Sequence, residues 1–309
     1  MIVLLETIHA DAEAILRTVD DVMLAPSPTS LPDVSTDEIT ALVTRGLGQI
    51  TGDLIASLPA LRVIARCGAG LDNVDTTAAH ANGVVVVYAP GVTAAAVAEH
   101  AMMLALCLAR QTVRLARATA AGDWAVRDGF VSAELRGRRL GVIGLGSIGS
   151  RVADLSTAFG MDVVGWSRRR RDDLAIRQVE LDELFAGSDV IQVCVALGPE
   201  TKGLIDAERL ASMPRGALLV NTARGQIVEI PAIEAALESG QLGGYATDVW
   251  YPEPPPPGTA LLRHPRVLVT PHVAAFTDRT YRELCVGPAD AIAAIARGDT
   301  PDARFILPP

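Results

Sequence analysis

The sequence predicts an α/β protein made of two doubly wound parallel sheets, and three observations predict it. Short Val- and Ile-rich runs alternate with longer alanine-rich stretches along the whole chain, the pattern of strands covered on both faces by helices. The alternation starts afresh after a long helical stretch. The second series opens on a glycine-rich turn held between a strand and a helix. With 309 residues the chain is long enough for two domains with sizeable cores.

In the first third, strands are expected over 2–6, 22–25, 47–50, 62–67 and 84–88, with helices over His9–Val19 and Val74–Asn82. A long alanine-rich helix then runs from about Ala94 to Ala121 and leads away from this unit. The second series begins at Gly137, with strands over 139–144, 161–167, 189–194, 216–221, 244–248 and 266–270. Proline donates nothing to a ladder, so Pro254–Pro257 reads as an extended polyproline loop. The last helix, about Asp278–Arg297, contains Gly287-Pro288, which should kink or interrupt it. If that helix packs back on the first unit, one domain is discontinuous, 1–97 plus 276–309, and 98–275 is inserted in it.

Composition narrows the class. The formal net charge of −9 argues against a general nucleic-acid binder. No apolar run reaches the ~18 residues of a membrane span, and Met1–Glu6 reads as a first strand, too short for a signal peptide and lacking a basic n-region. Cys67, Cys107, Cys194 and Cys285 lie far apart and show no metal-ligand spacing. They read as reduced thiols of a cytoplasmic protein, and no metal is expected. Lys202 is the single lysine, a bias with no physical account.

The stretch from Gly141 to Gly149 reads as a strand, then Gly144-x-Gly146-x-x-Gly149, then the first turn of a helix. This is the phosphate-binding turn of a Rossmann domain. Gly144 permits the tight turn, Gly146 lets a pyrophosphate approach the backbone, and Gly149 lets the helix pack close. The anion would rest on the free N–H groups of the helix start. An acidic residue should end the next strand, about 20 positions on, if the ligand is NAD. Ser167 stands there instead, followed by Arg168–Arg171. A serine beside guanidinium groups suits a 2′-phosphate, so NADP(H) is the preferred cofactor and NAD(H) the alternative. The four arginines also fit a solvated surface loop of which one, or none, touches a ligand.

Open parallel sheets bind ligands beyond the carboxyl ends of their strands. Three polar residues stand just after strands of the second series. Arg224 can fork onto a carboxylate. Glu253 is flanked by Pro252 and Pro254. His272 follows the final strand and can carry a proton near neutral pH. A carboxylate beside it would orient the ring and stabilise the imidazolium. Taken singly, each also fits a structural role: a surface ion pair, a loop glutamate, a capping histidine. Glu99 and His100, on the long helix, read as structural, and Cys67 as a small packed hydrophobe.

In this order, Gly68–Asp75, Ala89-Pro90-Gly91, Val97–His100, the glycine turn, Asn221–Gly225, Asp248-Val249, Glu253-Pro254 and Pro271-His272 resemble the D-isomer-specific 2-hydroxyacid dehydrogenase family nearly end to end. The resemblance implies a Rossmann cofactor domain inserted in a flavodoxin-like substrate domain, with Arg224, Glu253 and His272 as catalytic trio. It implies Ala69 and Gly70 N–H groups, with Arg224 and His272, as substrate contacts. It implies Ser147, Ile148, Ser167, Arg168, Val195, Thr222 and Ala223 around the cofactor, and Asp248 against the nicotinamide carboxamide. The substrate implied is a 2-keto or 2-hydroxy acid of glyoxylate or hydroxypyruvate type. A homodimer through the long helix is implied too; charge and hydropathy, as above, point to no nucleic-acid or membrane partner.

Two rivals remain. Gly244–Pro252 and Val97–Met103 also resemble formate dehydrogenase, but that enzyme carries glutamine at the Glu253 slot and asparagine near the Thr93 slot. Formate oxidation releases no hydroxyl proton, so a Glu–His proton carrier is unnecessary there. A phosphoglycerate dehydrogenase is disfavoured because the chain ends at Pro309 without a regulatory extension. From another class comes a cofactor-sensing binding protein, since the family includes corepressors that keep the trio.

Overall fold

The structure, a computed structural model, describes residues 1–308. It divides into two units, Met1–Thr93 with the chain from Phe276 onward, and Ala94–Ala275. The sequence puts the first boundary at 97/98. It falls instead at Thr93, because the helix beginning at Ala94 is one rigid element of the second unit.

The first unit contains β1 (Ile2–Leu4), α1 (Ala10–Leu16), β2 (Val22–Leu24), β3 (Ala41–Thr44), α2 (Gly52–Ala56), β4 (Val63–Arg66), α3 (Thr76–Ala81) and β5 (Val85–Tyr88). The strands form a parallel sheet in the order β2-β1-β3-β4-β5, a flavodoxin-like order. Side chains alternate between two cores. Ile2, Leu4, Val43 and Val63 face one, while Val3, Leu42, Ile64 and Val86 face the other. Helices cover both faces, so these strands read as continuous apolar runs. Side chains of His9, Thr51 and Asp75 cap the three helices.

The expected strand over 47–50 is a loop, and the third strand is Ala41–Thr44. The cause is the buried carboxylate of Glu6. It accepts the N–H groups of Arg45 (2.6 Å), Gly46 (3.0 Å) and Leu47 (3.1 Å) and the hydroxyl of Thr44 (2.7 Å). Those N–H groups are thereby lost to a ladder.

The second unit begins with α4 (Ala94–Arg110) and α5 (Thr112–Ala120), not one helix to Ala121. Gln111 between them is left-handed, φ 50°. Nine residues of α4 are buried and none of α5, so the break falls where the chain leaves the core. Next come β6 (Arg139–Ile143), α6 (Ser147–Ala158), β7 (Asp162–Trp166), β8 (Arg177–Gln178), α7 (Leu181–Gly187), β9 (Val190–Val193), α8 (Ala207–Ser212), β10 (Ala217–Asn221), α9 (Ile230–Glu238), β11 (Leu242–Thr247) and β12 (Val267–Val269). The sheet is parallel throughout, in the order β12-β11-β10-β9-β6-β7-β8. Its order reverses between β6 and β9, and their carboxyl ends therefore open a ligand crevice. Phe185 of α7 is fully buried beneath this sheet, a burial worth roughly 1.5–3 kcal/mol. Short β8 is absent from the sequence reading. Residues 251–258 form bends and a turn rather than one extended polyproline run, with cis bonds before Pro252 and Pro254.

The chain then returns to the first unit as α10 (Asp278–Arg297), packed on α1. Gly287-Pro288 does not interrupt it. The buried face that includes Leu284, Ala289 and Ile292 outweighs the hydrogen bond that Pro288 cannot make. A Cβ on Gly287 would lie 2.3 Å from the Phe305 ring, so glycine is needed there for packing. Among the described residues no helix is long and apolar enough to cross a membrane.

Candidate active site

The crevice at the switch point is built by glycine. Gly144 has φ 99°, and a Cβ on it would sit 2.8 Å from the Val195 backbone, where the chain leaves β9. A Cβ on Gly149 would lie 1.8 Å from the Gly144 carbonyl oxygen. Both positions are closed to any larger residue by the protein itself. Gly146 is different. A Cβ there meets nothing within 4 Å, and no side chain caps the helix that follows. The N–H groups of the first turn of α6 thus face open space. Across the turn, the Thr222 hydroxyl is buried without a partner, and Ala223 beside it is nearly buried. Free N–H donors, room at a glycine and an unpartnered hydroxyl fit a dinucleotide. Ser147 is exposed and Ile148 partly buried at the same helix start, and Val195 lines the turn.

The segment after β7 is a closed loop. Ser167 Oγ donates to the Arg169 carbonyl (2.7 Å). Gln178 accepts the Arg171 N–H and donates to the Arg171 carbonyl, both at 2.9 Å. Three of the four arginines reach carboxylates. Arg170 pairs with Asp172. Arg171 pairs with Asp173 and donates 2.7 Å to the Leu145 carbonyl inside the glycine turn. Arg168, three-quarters exposed, lies 3.5 Å from Glu200. The pairs of Arg170 and Arg171 are the closer ones, and Arg171 also ties the loop to the phosphate turn. Gln178 and Arg171 brace this loop, a role that was not expected of them from the sequence. The only signal was the arginine run itself, since Gln178 lies on the unforeseen β8.

At the carboxyl end of β10, Asn221 staples the next turn. Its Nδ2 donates to the Arg224 carbonyl (2.9 Å), and its Oδ1 accepts the Ala223 N–H (3.0 Å). Arg224 Nη1 donates to the Ala223 carbonyl (2.7 Å). A Cβ on Gly225 would lie 2.3 Å from the Trp250 carbonyl carbon, so this turn packs directly on the segment after β11. That close approach brings the Arg224 charge to bear on Glu253.

Glu253 Oε1 accepts the Trp250 N–H (2.8 Å), and Oε2 lies 2.9 Å from His272 Nδ1. Burial works against the Glu253 anion. The hydrogen bonds from His272 and Trp250, with the charges of His272 and Arg224, outweigh it and hold its pKa below the usual carboxylate value. A carboxylate only accepts, so Nδ1 carries the hydrogen and Nε2 faces away from the pair. The His272 side chain is 46% exposed, which leaves Nε2 accessible. Its backbone is left-handed, φ 55°, and its N–H donates to the carbonyls of Asp248 (2.8 Å) and Thr270 (3.0 Å). Such a conformation persists only where the surroundings over-determine it.

Asp248, expected against a nicotinamide carboxamide, also holds the turn that carries His272. It is 1% exposed. Its Oδ1 accepts from Thr270 Oγ1 (2.6 Å) and the Val273 N–H (3.0 Å), and its Oδ2 accepts the Ala274 N–H (2.8 Å). In this structure it builds the turn that carries His272. Ala69 and Gly70 belong to the first unit, in the loop after β4, and their N–H groups donate to no other described residue. Among the described residues no cluster of His, Cys, Asp and Glu is arranged to hold a metal.

A parallel sheet with a phosphate-binding turn, and an Arg, Glu and His gathered beyond its strand ends, defines a dinucleotide-binding α/β protein with an acid–base site. Residues 102–274 match the D-isomer specific 2-hydroxyacid dehydrogenase, NAD binding domain family, and the chain belongs to the D-isomer specific 2-hydroxyacid dehydrogenase family. A D-3-phosphoglycerate dehydrogenase of Archaeoglobus fulgidus is 38% identical over 84% of this chain and 50% of that one. The chain thus spans about half the length of such relatives. A glyoxylate reductase of Aeropyrum pernix is 35% identical over 85% of this chain and 82% of that one. Among solved structures, an NADPH-dependent glyoxylate/hydroxypyruvate reductase from Sinorhizobium meliloti, in complex with NADP and malonate, aligns with a TM-score of 0.89. It is 27% identical over 100% of this chain and 98% of that one.

Proposed function

We propose that this protein reduces a 2-keto acid at C2, and oxidises the matching D-2-hydroxy acid, with NADP(H) in preference to NAD(H). The observation that carries the proposal is the 2.9 Å pairing of His272 Nδ1 with Glu253 beside Arg224. A bound nicotinamide dinucleotide would supply or accept the hydride at C2. Negative charge grows on the carbonyl oxygen as the ketone is reduced, and the guanidinium of Arg224 stabilises it. His272, protonated on both nitrogens, gives its Nε2 proton to that oxygen. Glu253 keeps the other proton on Nδ1 and offsets the imidazolium charge. In the first unit, the free N–H groups of Ala69 and Gly70 suit a carboxylate.

The dinucleotide would be held by the N–H groups at the start of α6, with Gly146, Ser147, Ile148, Val195, Thr222 and Ala223 around it. Arg168 is the group for a 2′-phosphate, because it directly follows Ser167 and its ion pair with Glu200, at 3.5 Å and largely exposed, is looser than those of Arg170 and Arg171. The named relatives include reductases of glyoxylate and hydroxypyruvate, and these are the first substrates to try. A homodimer through α4 and a cytoplasmic setting complete the proposal. Glutamate rather than glutamine at 253 favours a proton-carrying site over formate oxidation.

The test is turnover with a panel of 2-keto acids of graded size and both cofactors. NADPH oxidation by glyoxylate or hydroxypyruvate is expected. Formate-dependent cofactor reduction would refute the Glu253 argument, and tight cofactor binding without turnover would favour a sensor.

A further inference from the structure

We propose that His100 is a positioning residue for His272: through Thr270 and Asp248 it holds the left-handed turn that presents the His272 ring. The proposal rests on His272 being the proton donor described above.

His100 lies on α4, 170 residues before Thr270, yet its Nε2 is 2.9 Å from Thr270 Oγ1. That hydroxyl is 2.6 Å from Asp248 Oδ1. The same carboxylate accepts the N–H groups of Val273 and Ala274, and the Asp248 carbonyl accepts the N–H of His272. One buried residue therefore fixes three consecutive N–H groups, 272 to 274, around a non-glycine residue at φ 55°.

The hydrogens can be assigned. An ionised carboxylate only accepts, so Thr270 must give its single hydrogen to Asp248. Toward His100 the hydroxyl can then only accept, which places a hydrogen on His100 Nε2. The ring thus directs the Thr270 hydroxyl onto Asp248. It also lies 3.6 Å from Asp248 Oδ1 itself. No Arg or Lys pairs with this buried carboxylate among the described residues. Its compensation is one hydroxyl, two peptide N–H groups and the His100 ring. Without the ring, the hydroxyl is free to turn away from Asp248, and the turn that aims His272 loses one of its constraints. A helix polar residue with a structural appearance in the sequence thereby gains a stake in the geometry of proton transfer.

Two variants and one unmodified measurement test this. His100→Gln keeps an N–H donor near the position of Nε2, and His100→Leu keeps bulk without it. We expect kcat for 2-keto acid reduction to fall about tenfold to a hundredfold in His100→Leu, with KM for the cofactor unchanged, and most of it to return in His100→Gln. Amide exchange of Val273 and Ala274 should accelerate in the leucine variant only. In the wild type, nitrogen NMR of the imidazole rings should show hydrogen on His100 Nε2. Equal losses in both variants, a change confined to cofactor KM, unchanged exchange at 273 and 274, or hydrogen on Nδ1 alone would each overturn the proposal. The exchange and NMR readouts need no turnover. Should the protein reduce no 2-keto acid, they still decide whether His100 holds the turn.

Discussion

His272 Nδ1 and Glu253 Oε2 stand 2.9 Å apart, and the second oxygen of Glu253 is held by the Trp250 N–H. The pair is thus oriented from both ends. Glu253→Gln keeps the shape but leaves the imidazolium without a counter-charge. We expect kcat for 2-keto acid reduction to fall by about 10²-fold or more, with KM for the cofactor unchanged. Steady-state kinetics check this.

The pH dependence follows from two lowered carboxylates. Glu253 is held below the ordinary 4.5 despite its burial. Glu6 is too, where the hydrogen bonds from Thr44 and three backbone N–H groups outweigh desolvation. A carboxylate with a depressed folded pKa adds stability that is full above its unfolded value and lost as pH falls through the folded one. The melting temperature should therefore owe these groups nothing further above about pH 4.5 and should drop below it. Glu6→Gln should cost about 2–3 kcal/mol at neutral pH and should flatten the acid limb. Thermal melts across pH measure both.

The glycine turn separates ligand from fold. A Cβ on Gly146 meets nothing, whereas one on Gly149 strikes the Gly144 carbonyl oxygen. Gly146→Ala should keep the wild-type melting temperature and lose dinucleotide affinity. Gly149→Ala should lower the melting temperature itself. Calorimetry and cofactor titration distinguish them.

The arginine loop makes a similar division. Arg168→Ala should raise KM for NADPH about tenfold and leave NADH unchanged. Arg171→Ala should weaken both cofactors alike, because Arg171 grips the Leu145 carbonyl in the shared phosphate turn. Equal effects of Arg168→Ala on the two cofactors would count against the 2′-phosphate reading.

Much of this was legible in the sequence. Apolar runs identified most strands, because strands covered on both faces carry little else. The glycine spacing marked the phosphate turn, since Gly149 is required by the Gly144 carbonyl five residues earlier and Gly144 by its own positive φ. Other features were hidden because they depend on partners distant in sequence. Leu47–Ile50 looked like a strand until Glu6, forty residues earlier, took the N–H groups beside it. Gly287-Pro288 looked like a breaker until Phe305 filled the space above Gly287. The contacts of Asp248 with Thr270 and His100 are likewise invisible in the sequence, because His100 lies about 150 residues earlier. Arg171 looked interchangeable with Arg168, and nothing local says that one of them reaches the Leu145 carbonyl.

The most direct test of the central claim is kcat for His272→Asn with hydroxypyruvate and NADPH. Asparagine tolerates the left-handed backbone at this position, so the turn is kept while the proton donor is removed. A fall of about 10²–10⁴-fold with intact cofactor binding is expected. An unchanged kcat would contradict the account, because the proton would then come from elsewhere.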